Sequence, residues 1–376
     1  MKIFNTTLFL LLFQIGIAQT VSTITEGNFT DGLQIDANGN VYGSQFSGDS
    51  VYKYDPNSET VSVFASGFAN PNGIGISPNQ ELYICEHAVG GTGRIFKYDL
   101  DGNLLETWDG LTSPTGIKNI PGTNDMLFVT YNNPGTINRL DEAGNISNLF
   151  TGAPLNGPAG IAFINDEVFI ANFNDRKIYR YDLQTNELTF LAELPSVGPP
   201  NTDFLGFLDT KDNKLIATHI GAHQIFQIDP VSGELLSIAG STAGTNDGPI
   251  SDARFFQPNG IAGDNNSNRI YVSDAATANL RIIENISLSV SDFNPSIDFE
   301  IYPNPVKDLL RIQTNGELAS DGEFNIYHTN GSLVYGPQKT DSSLFDGVVS
   351  TSTWANGTYF IELISGKRKA VKKFIK

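Results

Sequence analysis

The chain repeats itself about every 45 residues, and this period restricts the folds that it can adopt. Six segments begin with a glycine followed by an apolar residue, and successive glycines are 41, 43, 44, 46 and 54 residues apart. In most repeats further short stretches of alternating apolar residues follow, separated by turn signals such as Asp101-Gly102. Four short strands per repeat of this length predict one blade of a β-propeller. The glycines are Gly32, Gly73, Gly116, Gly160, Gly206 and Gly260.

Six repeats predict a six-bladed, all-β propeller within residues 19–285. The last repeat runs out after its third strand, at Leu280 to Glu284. The segment from Val21 to Thr25 is strand-like and belongs to no repeat. We therefore expect this N-terminal segment to supply the missing outer strand of the last blade and to close the ring.

The N-terminus has the pattern of a secretory signal peptide over residues 1–18. Lys2 provides the positive charge, and Leu8 to Ile17 form the apolar stretch. Small residues at 16–18 predict cleavage after Ala18. The apolar stretch is too short to span a membrane and no other segment qualifies, so we expect no transmembrane segment after cleavage.

The C-terminal residues, 299–376, carry a pattern of their own. It consists of Ile301-Tyr302-Pro303-Asn304-Pro305, Gly331, Trp354, Asn356-Gly357-Thr358-Tyr359 and Val371-Lys372-Lys373-Phe374. These residues resemble the C-terminal sorting domain of the type IX secretion system of Bacteroidota. The resemblance implies the secretion machinery as a partner and a location outside the cell or on its surface. We expect a small antiparallel β-sandwich, joined to the propeller by a linker over residues 286–298.

The charge distribution and the cysteine content limit which partners and cross-links the chain can have. Residues 299–376 hold nine Lys/Arg and eight Asp/Glu, a net charge of +1, whereas the rest holds 14 and 33, a net of −19. An acidic body repels phosphate backbones, so we expect no nucleic-acid partner. It attracts cations, calcium included, or serves solubility alone. The one cysteine, Cys85, lies in a predicted strand and should be buried, and no internal disulfide can form.

Two repeats carry a more detailed pattern. The first begins Asp31-Gly32-Leu33-Gln34-Ile35-Asp36, and the last begins Gln257-Pro258-Asn259-Gly260-Ile261-Ala262. Over roughly Asp31 to Glu284 the blades resemble those of NHL-repeat proteins and of the regucalcin/gluconolactonase family. The resemblance implies the propeller fold, but these families include both enzymes and pure binding modules.

Polar side chains precede the repeated glycine in three repeats. They are Asp31, Asn72 and Asn259, from blades that become neighbours once the ring closes. The other blades have Thr115, Ala159 and Leu205 at this position. The resemblance implies that the polar three bind a metal, with Asp31 also acting as general base, and their oxygens suit Ca²⁺. The alternative is that Asp and Asn before Gly cap tight turns by bonding their own backbone.

A second ring of mostly polar side chains is expected where the second strand of each blade ends. Inner strands all run one way and second strands run back, so both rings should surround the same mouth of the channel. The members are Gln45, Glu86, Tyr131, Asn172, His219 and Asp274. We expect the last five to bind ligand, with Glu86, His219 and Asp274 able to act as acid, base or ligand. The alternative is a hydrogen-bonded, structural role.

Three functions remain open from the sequence. The first is a non-catalytic propeller that binds a small molecule, glycan or protein at its mouth. The second is a calcium-dependent lactonase or esterase of the gluconolactonase kind, and the third is a structural module at the cell surface. No Gly-x-Ser-x-Gly, His-Glu-x-x-His, zinc-type cysteine pair or phosphate loop occurs, which leaves serine-hydrolase and zinc-protease chemistry without support.

Overall fold

The computed structural model describes residues 18–87, 92–198, 202–286, 288, 299–314, 322–329, 332–340, 346–365 and 368–376. The chain divides into two compact units, Met1–Leu288 and Ser289–Lys376. The predicted signal peptide, except for Ala18, and most of the predicted linker lie outside the described residues. The described part contains strands and turns and no helix.

The first unit is a six-bladed β-propeller, which confirms the predicted fold. Each blade is a four-stranded antiparallel sheet whose strands follow the chain from the channel outwards, with the exception of blade 6. Blade 1 contains β2 (Leu33–Ile35), β3 (Val41–Ser44), β4 (Ser50–Asp55) and β5 (Thr60–Ser66). Blade 2 contains β6 (Pro71–Ile76), β7 (Leu82–Glu86), β8 (Gly93–Tyr98) and β9 (Leu104–Leu111). Blade 3 contains β10 (Pro114–Asn119), β11 (Met126–Thr130), β12 (Thr136–Leu140) and β13 (Ile146–Thr151).

The remaining blades continue the pattern. Blade 4 contains β14 (Pro158–Ile164), β15 (Glu167–Asn172), β16 (Lys177–Asp182) and β17 (Glu187–Glu193). Blade 5 contains β18 (Leu205–Lys211), β19 (Lys214–His219), β20 (Gln224–Ile228) and β21 (Leu235–Gly240). Blade 6 contains β23 (Pro258–Asp264), β24 (Arg269–Asp274) and β25 (Asn279–Glu284), completed by β1 (Thr20–Ile24) and β22 (Gly248–Pro249). Each inner strand contacts the inner strands of both neighbouring blades, so the six strands form a closed ring.

The N-terminal strand closes the ring, as the sequence predicted. Strand β1 pairs antiparallel with β25 over its whole length, and its first two residues also pair with β22. Val21 is buried in the core of blade 6. The outer strand of this blade therefore comes from one end of the domain and its inner strands from the other, which joins the two ends by hydrogen bonds.

The repeated glycine is needed because the inner strands approach one another closely. A Cβ atom added to Gly73 would lie 2.1 Å from the carbonyl oxygen of Thr115 in the next blade. One added to Gly116 would lie 2.0 Å from the carbonyl oxygen of Ala159. Any side chain here would push neighbouring blades apart, so the sequence period reflects the narrow ring of inner strands.

Side chains from three blades cross the channel at its far end. Lys118 of blade 3 donates a 2.9 Å hydrogen bond to Gln34 of blade 1, and its Nζ lies 3.2 Å from Asp209 Oδ1 of blade 5. Above this crossing, apolar side chains such as Leu33, Ile74 and Ile117 leave a space of only about 10 Å³. A ligand can therefore enter the channel at the opposite mouth, where the inner strands begin.

The second unit is a small β-sandwich. Its first sheet contains β26 (Phe299–Tyr302), β27 (Leu309–Thr314) and β30 (Asp346–Ser350). Its second sheet contains β28 (Glu323–His328), β29 (Leu333–Lys339), β31 (Thr358–Ser365) and β32 (Arg368–Ile375). Alternate residues of β27 and β31 are buried, as a sheet with one face on the core requires. Aromatic residues of the predicted pattern, including Tyr359 and Phe374, lie in this core.

Candidate functional site at the propeller mouth

A cavity of about 320 Å³ lies at the mouth where the inner strands begin. Every blade contributes at least one side chain to its lining. The lining residues are Asp31, Phe46, Asn72, His87, Thr115, Tyr131, Ala159, Phe173, Phe207 and Asn259. The cavity thus combines one carboxyl group, two amides, one hydroxyl-bearing threonine, four six-membered aromatic rings, one imidazole ring and one alanine methyl group.

Asp31, Asn72 and Asn259, here called the polar trio, line the same cavity from adjacent blades. The Asp31 side chain is buried, and its Oδ1 accepts a 3.1 Å hydrogen bond from the Gly32 backbone N–H. Burial raises the pKa of Asp31 to about 8, although bonds from Gly32 and Asn259 work in the opposite direction. The Gly32 bond is of the kind that the turn-capping alternative predicted, while the pKa shift shows that the carboxyl group is poorly solvated.

Two oxygens of the polar trio have no partner. Asn72 Oδ1 and Asn259 Oδ1 are buried and accept no hydrogen bond from the described residues, while Asn259 Nδ2 donates to the Thr30 carbonyl at 3.0 Å. A buried acceptor without a donor costs roughly 1–3 kcal/mol, and native proteins rarely retain one without a reason. Both oxygens are enclosed by the protein and not exposed to the cavity, so they are a local cost to the fold.

Hydroxyl groups from the preceding blade fix the backbone of the polar trio. Ser44 donates to the Asn72 carbonyl, Thr218 to the Asn259 carbonyl and Ser273 to the Asp31 carbonyl, at 2.5–2.9 Å. These hydrogen bonds connect neighbouring blades and direct each carbonyl towards a protein donor. The backbone carbonyls of the trio are thus occupied by protein donors and are not free for a ligand.

Four rings form a continuous row above the trio, and sequence reasoning missed three of them. Phe46, His87, Tyr131 and Phe173, here called the aromatic arc, come from blades 1 to 4. Adjacent ring centroids are 5.9, 5.7 and 5.8 Å apart, with interplanar angles of 63–78°. Such edge-to-face contacts are favourable and hold the rings in place. Burial lowers the pKa of His87, so this ring is uncharged at neutral pH.

A sequence signal for the aromatic arc exists. His87, Tyr131 and Phe173 each directly follow the residue that pairs with the first residue of the inner strand, as Glu86 pairs with Pro71. Phe46 follows Gln45, which lies one residue beyond the end of β3. In blade 3 that position is Thr130, which pairs with Pro114, so Tyr131 lies one place beyond the strand end where it was predicted. In blade 5 a local irregularity buries Leu205 in the core and brings Phe207 to the cavity.

The other predicted second-ring residues have internal partners. Glu86, Asn172, His219 and Asp274, here called the loop anchors, are fully buried and none of them lines the cavity. Each bonds a group 16–18 residues earlier, in the connection from the previous blade. The partners are the Ala69 N–H, the Pro154 carbonyl, the Asp203 carboxylate and the Phe256 N–H.

Two loop anchors belong to ion pairs. Arg94 donates to both carboxylate oxygens of Glu86, at 2.6 and 3.0 Å. Arg281, itself fully buried, lies 3.1 Å from Asp274 and 2.9 Å from Asp247. These contacts give the loop anchors a structural role and leave ligand binding by them as a prediction without support from the cavity geometry.

The chemistry of the trio permits calcium but supplies few ligands. Carboxylate and amide oxygens are the donors that Ca²⁺ takes, and it requires six to eight of them. The trio offers one carboxylate, and its carbonyls are bonded to hydroxyls of the preceding blade. Within the described residues no cluster of three His, Cys, Asp or Glu side chains could hold a metal. Calcium at this position would depend on the two amide oxygens and on water.

Comparison with known proteins identifies the second unit and the fold of the first. Residues 300–376 match the model of the secretion system C-terminal sorting domain, so this part of the chain belongs to that family. No curated protein matches the chain. The part of the chain that the structure describes includes no helix long and apolar enough to cross a membrane.

Solved propellers resemble the first unit in fold. An auxiliary nutrient binding protein of Bacteroides thetaiotaomicron is 20% identical, with a TM-score of 0.57, over 68% of this chain and 69% of that one. One from Bacteroides ovatus is 15% identical, with a TM-score of 0.57, over 71% and 76%. A structure described as a candidate gluconolactonase is 14% identical, with a TM-score of 0.53, over 71% and 92%.

Together, these findings define the class of the protein. It is a β-propeller that carries a type IX secretion sorting domain, and the sorting domain directs it to the cell surface or the medium. The fold is shared by proteins described as binders and by one described as a lactonase, so the fold alone does not decide between binding and catalysis.

Proposed function

We propose that the propeller binds a small organic ligand in its mouth cavity, outside the cell and without chemical change. The observation that carries this proposal is a cavity of about 320 Å³ at the open mouth, where mostly aromatic and apolar side chains surround the buried carboxyl group of Asp31. Ligand sites typically enclose roughly 300–1,000 Å³ and combine apolar walls with a few placed polar groups. A ligand in this cavity would bury its apolar part against the rings and could donate a hydrogen bond to the Asp31 carboxyl group.

The comparisons support this proposal without extending it to a named ligand. Two structures of similar fold are described as auxiliary nutrient binding proteins, and their identities to this chain are 20% and 15%. Export by the sorting domain would place the cavity where nutrients are captured. Nutrient capture is therefore the cellular role that we propose for the propeller.

The second candidate is a calcium-dependent lactonase or esterase. The polar trio would hold the ion through its side-chain oxygens, and calcium there would polarise the carbonyl of a lactone or ester. Asp31 would also have to act as general base, which requires its ionised form; burial raises its pKa to about 8, and a bound calcium ion would lower that pKa again. The convergence of Asp31, Asn72 and Asn259 on one cavity is the observation that favours this candidate.

A binding screen with a blocked cavity tests the main proposal. The full chain would be screened by thermal shift against amines, sugars, dipeptides and lactones, beside Ala159→Phe, which fills the cavity. We expect a stabilising ligand whose effect disappears in this variant, since Ala159 lines the cavity. Phe190→Ala removes a ring that is 56% exposed on the outer strand of the same blade and is the matched control.

The same proteins separate the two candidates. Turnover of lactones that requires calcium and is lost in Asp31→Asn would establish the hydrolase and overturn simple binding. If no compound of the screen stabilises the protein more than it stabilises Ala159→Phe, the mouth is not a ligand site and the proposal is wrong.

A further inference from the structure

We infer that the ligand of the mouth cavity is a flat, uncharged aromatic compound with a hydrogen-bond acceptor beside a donor on one edge, as in an aromatic lactam. This polar edge faces Asp31, Asn72 and His87, and the apolar remainder lies against the rings and Ala159. The inference rests on the proposed function and specifies the chemical class of its ligand.

Polar groups that a ligand can reach lie on one side of the cavity. Asp31 lines it from blade 1, and Asn72 and His87 line it from blade 2. On the other side, blades 4 and 5 contribute Ala159, Phe173 and Phe207, whose side chains are apolar. A ligand can therefore form hydrogen bonds along one edge only.

The remaining polar side chains of the lining use their hydrogens within the protein. Thr115 donates its hydroxyl hydrogen to the Pro158 carbonyl at 2.8 Å, and Asn259 Nδ2 donates to the Thr30 carbonyl at 3.0 Å. The Tyr131 hydroxyl donates to Asn174 Oδ1 at 2.8 Å, so this residue offers its ring to the cavity. These bonds leave Asp31, Asn72 and His87 as the polar contacts of a ligand.

These three side chains include both donors and acceptors. Asn72 Nδ2 and the His87 ring have no hydrogen-bond partner among the described residues, and neither is enclosed by the protein. The amide nitrogen donates, and a neutral imidazole has one donor and one acceptor nitrogen. The Asp31 carboxyl group accepts from the Gly32 N–H through Oδ1 and has further acceptor positions. A carboxyl group accepts hydrogen bonds in either ionisation state, so the match does not depend on the titration of Asp31.

A ligand with a single kind of polar group fits this side of the cavity poorly. An ammonium ion carries donors only, so it would leave the donors of Asn72 and His87 unpaired. A carboxylate or phosphate would lie beside Asp31, and no lysine or arginine is among the described residues of the lining. A neutral edge with a C=O group next to an N–H group pairs with both kinds at once.

The rings of the lining favour an aromatic ligand over a saturated one. Phe204 stacks on Phe173, with centroids 4.6 Å apart and an interplanar angle of 21°, and so extends the aromatic arc into the connection before blade 5. Neighbouring planes within the arc are turned by 63–78°, so the row contains rings in different orientations. An aromatic ligand can form stacked or edge-to-face contacts with such rings, whereas a saturated ring lacks the quadrupole that these contacts need.

The size of the cavity corresponds to two fused rings. An apolar cavity of roughly 150 Å³ holds one benzene molecule, and the mouth cavity has about 320 Å³. The channel beneath it leaves only about 10 Å³, so the ligand ends there. A sugar of similar size would leave hydroxyls unpaired against Ala159, Phe173 and Phe207, at a cost for each.

Calorimetry on the full chain, in EDTA, tests the inference with three compounds of similar size. 2-Quinolone is an aromatic lactam of two fused rings, decahydroquinolin-2-one keeps the lactam edge but is saturated, and N-methyl-2-quinolone lacks the donor. We expect one 2-quinolone per chain. The saturated lactam should bind at least about fivefold more weakly, and the N-methyl compound at least about tenfold more weakly.

Variants of the lining assign these preferences to residues. Asn72→Leu removes a donor, and His87→Phe removes the ring nitrogens but keeps an aromatic ring, so each should weaken 2-quinolone severalfold. Phe173→Ala should reduce the preference for 2-quinolone over its saturated counterpart, a ratio that a merely structural role would not change. Phe190→Ala, on the outer strand of the same blade, should change neither affinity nor ratio.

Other outcomes separate the inference from the function on which it rests. Equal affinity for the aromatic and saturated lactams, or tighter binding of glucose than of 2-quinolone, would leave a ligand site but overturn the inference. Equal affinity for 2-quinolone and its N-methyl derivative would exclude the donor edge and overturn it too. So would calcium binding that EDTA removes and 2-quinolone does not displace, because it would assign the trio to the metal. Failure of all three compounds would overturn the inference alone if the wider screen finds a ligand, and the ligand-binding function as well if it finds none.

Discussion

The polar trio and the loop anchors are two sets of polar side chains at the same end of the propeller, and they differ in place, because the trio lines the mouth cavity and no loop anchor does. Asn72 Oδ1 and Asn259 Oδ1 of the trio are buried without a donor. Every loop anchor instead bonds the connection from the previous blade, and two of them pair with arginines. Unmade hydrogen bonds do not separate the two sets, because Asn172 Oδ1 and His219 Nδ1 are also buried without a partner among the described residues, so access to the cavity is the distinguishing feature. Variants of the two sets should have opposite effects on stability and ligand binding.

Removal of the arginine that pairs with a loop anchor should cause the largest loss of stability. Arg281→Met leaves Asp274 buried without its charged partner and removes bonds to the Arg254 and Asn246 carbonyls. Breaking a buried ion pair from one side costs about 3–5 kcal/mol. We expect a loss of this size in the free energy of unfolding measured in urea.

Arg254→Met provides the control for that variant. Arg254 is near Arg281 in the chain, but its guanidinium bonds the exposed hydroxyl groups of Ser241 and Thr242. A change at an exposed pair of this kind costs about 1 kcal/mol or less. Equal losses in both variants would show that the buried position of Arg281 carries no special weight.

A variant of the trio should stabilise the protein. Asp31 has a folded pKa of about 8, above its unfolded value of 3.8, so the folded state binds more protons between these values. The stability of the protein should therefore fall as pH rises from about 4 to 8, by at most about 1.4 kcal/mol per pH unit. Asp31→Asn keeps the acceptor for the Gly32 N–H and removes the ionisation.

The expected gain for Asp31→Asn is at most about 6 kcal/mol at pH 9, because the pKa rises from 3.8 to about 8 at about 1.4 kcal/mol per pH unit, and close to zero at pH 4. Urea denaturation of both proteins at pH 4, 7 and 9 measures it. A gain that accompanies loss of ligand binding is the usual sign of a functional group held at a cost to stability. A variant less stable than the parent at pH 9 would show that Asp31 serves the fold.

The sequence predicts the position of the polar side chains well, but not their hydrogen-bond partners. The propeller, its closure by β1 and the meeting of Asp31, Asn72 and Asn259 were predictable, because the inner-strand glycine repeats and geometry does the rest. The sequence did not predict which polar groups have a hydrogen-bond partner, because the partners lie on irregular connections between the blades. The regular offset of 16–18 residues between a loop anchor and its partner appears only when the structure supplies the pairs.

The aromatic arc escaped prediction for a different reason. Phe46, His87, Tyr131 and Phe173 share a position but not a residue type, and blades 5 and 6 have Ile220 and Ala275 there. A search for charged or polar residues does not detect such a position. Its meaning arises from contacts between blades, which a repeat-by-repeat reading of the sequence does not include.

A neutral loop anchor should have a moderate effect. Asn172 Nδ2 donates to the Pro154 carbonyl at 2.9 Å, but Asn172 Oδ1 has no partner among the described residues. Asn172→Ala thus loses one hydrogen bond and also relieves one unsatisfied oxygen, so the loss of stability should be about 1–2 kcal/mol. Binding of a ligand found in the thermal-shift screen should persist. Lys177→Ala, on the next strand of the blade, is the matched control. If Asn172→Ala instead loses ligand binding while its stability is unchanged, Asn172 contacts the ligand.

Removal of the Tyr131 hydroxyl group should have the smallest effect on stability. Variants at Tyr131 separate the role of the hydroxyl group from that of the ring. The Tyr131 hydroxyl bonds Asn174 Oδ1 at 2.8 Å and so is directed at the protein, whereas the ring lines the cavity. Tyr131→Phe should cost about 1 kcal/mol of stability or less and leave the affinity for a ligand found in the thermal-shift screen, here called the probe, within about twofold. Tyr131→Ala should weaken the probe severalfold, because it removes the ring from the arc. If Tyr131→Phe weakens the probe as much as Tyr131→Ala does, the hydroxyl contacts the ligand, and the polar set of the mouth extends from the trio to blade 3.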